Sequence, residues 1–162
     1  MARDARVFEK NMFYFTLVTL HLLAAVVWIG GMLFLGLVLT PVLRCRPPDE
    51  RASLLSAVGR RFLKVGWAAL GAILVTGPLL WIKRGFDVTP VLVVKLTLVG
   101  VILLLSVLHD FVLGPRLIER LRGGGHGDET LRLRRQVALL ARLNVLCALV
   151  VLILGLAISR AL

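Results

Sequence analysis

Residues 12–43 read MFYFTLVTLHLLAAVVWIGGMLFLGLVLTPVL, an apolar stretch with no acid or base other than His21. As a helix rising 1.5 Å per residue it would reach about 48 Å, whereas about 20 residues cross a 30 Å hydrocarbon core. The stretch predicts a first transmembrane helix, long enough that it must tilt or protrude. Successive residues turn by about 100°, so Trp28 and Met32 return to within about 20° of His21 and share its face. An imidazole in a bilayer is costly unless it points into the bundle and finds a partner there, which marks His21 as a functional candidate. The alternative is a purely structural histidine bonded to a backbone carbonyl or a buried water.

Composition points to the same class. With 59% hydrophobic residues and a mean hydropathy of +0.92 over 162 residues, the apolar runs need lipid rather than a soluble core. The expected fold is all-α, a single transmembrane domain spanning 1–162. Cys45 and Cys147 have neither zinc-site nor disulfide-framework spacing. The net charge of +11 comes from arginines in the segments that join the apolar runs, not from an independent basic domain. Anionic lipid head groups, rather than nucleic acid, are therefore the expected partner of the basic loops.

Along the chain, MARDARVFEKN reads as a short interfacial helical turn. It is expected to stay in the mature protein, because the following run is about twice the length of a signal-peptide core. Pro47 and Pro48 break the first helix, and Asp49 is positioned to cap the second. The second span covers about 62–82, with Trp67 and Trp81 near its ends and Gly77-Pro78 in its outer turns. After the hairpin KRGFDV, Thr89-Pro90 supplies an N-cap and a first-turn proline for a third span over 90–113. That span holds Lys95, His109 and Asp110. The connection that follows is basic at both ends, with His126 beside a Gly123-Gly124-Gly125 run, where a solvated loop residue is expected. The fourth span covers about 137–158 and carries Arg142 and Asn144 near its start. Asn144 and Asp110 are expected to join a polar cluster with Arg60, Arg61 or Arg142, because polar groups at such a depth must pair.

Thirteen bases flank the one-to-two and three-to-four connections, against six at the other ends. The positive-inside rule then places both termini outside, in an antiparallel up-down four-helix bundle. Spans one and three end in similar phrases, VLTPVLR and VLGPRLIER. Aligned on Pro41 and Pro115, they bring His21 and Lys95 to one depth in the outer leaflet, and put His109 about 20 Å lower. Lys64 and Gly77 of span two are echoed at equal spacing by Arg142 and Gly155 of span four, which suggests a doubled hairpin.

LHLLAAVVWIGGMLF, the TG of span two, VVKLTLVGVILLLSVLHDFVLGPRL and ARLN together resemble the copper-resistance D (CopD-like) family of bacterial inner-membrane proteins. The match runs over nearly the whole chain. The order of marks is more distantly similar to the haem-containing J-type protoporphyrinogen oxidases: histidine and W-x-x-G, then lysine and histidine, then R-x-N. Those oxidases carry an aromatic-Leu-Pro-Arg phrase where this chain has Leu35-Gly36-Leu37, and a glutamate where it has Val145.

Three functional readings follow. The first, implied by the oxidase likeness, is a b-type haem protein of the inner membrane and so a candidate oxidoreductase. His21 would be an axial ligand, Lys95 a second ligand or a propionate partner, and Trp28, Gly30 and Gly31 the walls of the site. His109 would serve a second haem, with a second copy of the chain, as a homodimer, to supply its missing ligand. The second reading, implied by the family name, is a copper carrier whose rungs are His21, Met32 and His109, with Met12 and Cys45. The third is a membrane scaffold in which Met and Trp only pack.

Overall fold

The computed structural model describes residues 2–123 and 127–160; His126 lies outside the described residues. The described residues are helical with no strand, and four of the helices are long and apolar enough to cross a membrane: Asn11–Leu43, Glu50–Lys83, Pro90–Leu121 and Asp128–Ile158. Their apolar side chains point outward. Phe15 and Val26 are 67% exposed and Leu37 72%, an outside that only lipid satisfies.

The chain divides into two compact units, 1–87 and 88–162. In the first, α1 (Ala2–Leu33) passes through a π-helical segment (Phe34–Leu39) into the short α2 (Thr40–Leu43). The polar lead, expected to be an interfacial helical turn, is helical and continuous with α1. α3 (Pro48–Lys83) returns alongside it. Pro47 takes the N-cap and Pro48 opens the helix, while the side chain of Asp49, expected to cap it, lies outside the described ones. Contacts run in opposite senses along the two helices: a Cβ added at Gly77 would lie 3.5 Å from His21 Cε1, and one at Gly66 3.6 Å from Trp28 Cδ1. Further on, a Cβ at Gly31 would overlap the Phe62 ring. On α1, Leu17, Ala24 and Trp28 are buried at alternating four- and three-residue steps around His21, the spacing of a knobs-into-holes seam. The turn after α3 holds Gly85 and Phe86 at positive φ, braced by Trp81 Nε1 donating to Asp87 O at 3.1 Å.

In the second unit Thr89 caps α4 (Pro90–Val107) as expected, its side chain accepting from Leu92 N at 3.2 Å. A second π segment (Leu108–Leu113) leads into α5 (Gly114–Arg122), and α6 (Asp128–Arg160) returns. Two expected boundaries need correction here. Span three does not stop at Leu113 but runs nine residues further as α5, and α6 starts nine residues before Val137. A proline lacks an N–H and clashes with the carbonyl four residues back, which kinks or breaks a regular α-helix. The π segments open the turn in front of each proline instead: the N–H of Thr40 reaches Leu35 O, and that of Gly114 reaches His109 O, five residues back. Asp128 and Glu129 in the first turn of α6 favour its early start. The guanidinium of Arg120 grips the Glu129 carboxylate through both nitrogens, tying α5 to that turn.

The doubled hairpin expected from sequence has structural counterparts. The two π segments occupy matching registers before Pro41 and Pro115, and each unit sets a polar residue against a glycine of its return helix. His21 faces Gly77 in one, and in the other a Cβ added at Gly155 would lie 3.5 Å from Lys95 Nζ.

Candidate functional site

His21 is half-buried on the inward face of α1, with Nδ1 2.8 Å from Thr76 Oγ1 on α3. Thr76 is buried, and its hydroxyl lies 2.6 Å from Ala72 O in the preceding turn. The imidazole edge lies against α3 beside Gly77, where an added Cβ would stand in ordinary van der Waals contact with Cε1. Beside this pair runs an open apolar groove of about 560 Å³ between α1 and α3, lined by Leu20, Ala24, Ala69, Ala72 and Val75, with Thr76 as its polar member.

Trp28 is buried against Gly66 at the α1–α3 contact, and the room that Gly31 leaves is taken by the Phe62 ring. Both serve the packing that holds His21 in place. Met32 is half-buried on α1, eleven residues from His21 and so about 16 Å along the axis. Met12 and Cys45 are exposed.

In the second unit, His109 and Asp110 lie in the first turn of the second π segment, and Nδ1 and Oδ1 are 2.7 Å apart. Neighbouring side chains on a regular helix diverge and do not meet. This pair does, and the carboxylate orients the ring. One turn earlier, buried Ser106 accepts from Asn144 Nδ2 at 2.9 Å. Lys95 is half-buried near Gly155, whereas Arg142 is exposed. In the first unit Arg61 is exposed and Arg60 donates to Ser56 Oγ at 2.7 Å. Among the described residues no three His, Cys, Asp or Glu side chains gather as a metal-binding group.

Two residues escaped the sequence reading: Thr76 as the partner of His21, and Ser106 as the partner of Asn144. The signal for Thr76 was present, since it is the lone hydroxyl between Val65 and Lys83. Folding the chain about the prolines after α2 brings it to the depth of His21.

A family model described as copper resistance protein D matches residues 56–158. The chain belongs to that family. The copper resistance protein D match takes in Thr76, Lys95, His109, Asp110, Arg142 and Asn144, while His21 precedes it. Family membership and four spanning-length helices make this a membrane protein. A relative described as an uncharacterized protein of Aquifex aeolicus (strain VF5) is 36% identical over 115 residues, 69% of this chain and 76% of the relative. No solved structure matches the chain.

Proposed function

We propose that this chain carries copper ions in a bacterial inner membrane, with His21 as the outer ligand, His109 as the inner one and Met32 between. The observation that carries the reading is the match to copper resistance protein D over 56–158 in a chain with four membrane-length helices. Imidazole and thioether donors suit copper, and ligands spaced about 16 Å apart suit an ion handed on rather than stored. The carboxylate beside His109 Nδ1 supports this role, because a metal-binding histidine ordinarily gives its other nitrogen to a carboxylate or carbonyl.

In this reading the bundle is antiparallel with both termini outside, and its basic connections meet anionic lipid head groups. Lys95, placed in the outer leaflet by its distance from Pro115 along the third span, is expected to tune copper binding. A second copy of the chain adds donors in a homodimer.

The test is a visible spectrum of the detergent-purified protein, with metal analysis after dialysis. A colourless protein that retains copper is the expected result. A Soret band that shifts on reduction would identify haem b and overturn the copper reading.

A further inference from the structure

We infer that Thr76 is a positioning residue that sets the tautomer of His21, so that Nε2 is the nitrogen that presents a lone pair. The inference rests on the reading of His21 as a metal ligand. A hydroxyl has one proton to donate, and a carbonyl oxygen can only accept. Thr76 Oγ1 lies 2.6 Å from Ala72 O, the habitual back-bond of a helical threonine to the carbonyl four residues earlier, so its proton is engaged there. Towards His21 the same oxygen then offers only a lone pair. At 2.8 Å from it, Nδ1 must therefore carry the hydrogen and donate. A neutral imidazole has a single N–H, which leaves Nε2 as the basic nitrogen.

The ring edge packs beside Gly77, 3.5 Å from where a Cβ would stand, with Nδ1 turned to the hydroxyl. In this chain a hydroxyl and its helix carbonyl do for His21 what the Asp110 carboxylate does for His109. A neutral orienting group holds the imidazole without adding a charge in the bilayer, where an ionised partner is costly.

The test uses nitrogen-15 NMR of the metal-free protein labelled at histidine, with His109→Asn and His126→Asn present so that only His21 reports. The expected spectrum has a pyrrole-like Nδ1 and a pyridine-like Nε2. Thr76→Val keeps the shape but offers no acceptor, and should give a mixture of tautomers; Thr76→Ser should restore the single form. In the otherwise unaltered protein, Thr76→Val should weaken copper(I) binding about 10- to 100-fold, the usual loss when an orienting partner of a metal ligand is removed, and Thr76→Ser should recover it. A protonated Nε2 in the unsubstituted protein, or a tautomer unchanged by Thr76→Val, overturns the inference. Failure to bind copper with the expected tautomer intact would instead overturn the copper reading and leave the role of Thr76 standing.

Discussion

Asn144 Nδ2 donates to Ser106 Oγ at 2.9 Å, joining α6 to α4 through two buried side chains. Inside a membrane the hydrophobic effect does not drive helices together, so packing and such interhelical bonds hold them. Replacing Asn144 with Leu should lower the thermal stability of the purified protein by about 1 kcal/mol. Adding Ser106→Ala to that variant should cost little more, because the serine has already lost its partner. Equal losses from each change, adding in the double variant, would mean that the two side chains act independently.

Gly31 and Gly30 are neighbours with opposite surroundings. A Cβ at Gly31 would overlap the Phe62 ring, whereas one at Gly30 meets nothing within 4 Å. Gly31→Ala should destabilise the protein by about 1–3 kcal/mol, the range for overpacking a tight contact. Gly30→Ala should melt like the unsubstituted chain. Phe62→Leu should relieve the Gly31→Ala variant, and thermal denaturation followed by circular dichroism reads all three.

Copper retention after dialysis separates the two histidine positions. His21→Ala should abolish it, Lys95→Met should weaken it, and His126→Ala should leave it unchanged. Loss in His109→Ala with full retention in His21→Ala would move the main site to the inner side.

The orientation is open to labelling. In a Cys45→Ser, Cys147→Ala background, a cysteine at residue 2 should react with an impermeant maleimide applied to cells whose outer membrane has been opened. Reaction only after the inner membrane is lysed would reverse the topology.

The Arg120–Glu129 pair is bidentate but lies at the surface, where salt screens it. Glu129→Gln should lower the melting temperature slightly at low ionic strength and have no effect at 1 M salt.

Four apolar spans, the Thr89 cap and the polar residues inside the spans were legible from the sequence alone, because hydropathy, span length and capping depend on residues within a few positions of one another. Helix ends were less so. Pro115 reads as a stop, yet His109 O accepts from an N–H five residues on and the helix continues, since a π turn is a backbone rearrangement that no residue type announces. The early start of α6 likewise depends on Glu129 meeting an arginine of the preceding helix. His21 could be singled out from sequence because an imidazole stands out in an apolar run. That its partner is Thr76, fifty-five residues away, was decided by how α1 and α3 pack, with the Phe62 ring seated where Gly31 has no side chain. Local chemistry specified which residues must find partners in the bilayer; only tertiary packing chose the partners, because the choice depends on which groups two separate helices bring within about 3 Å of each other.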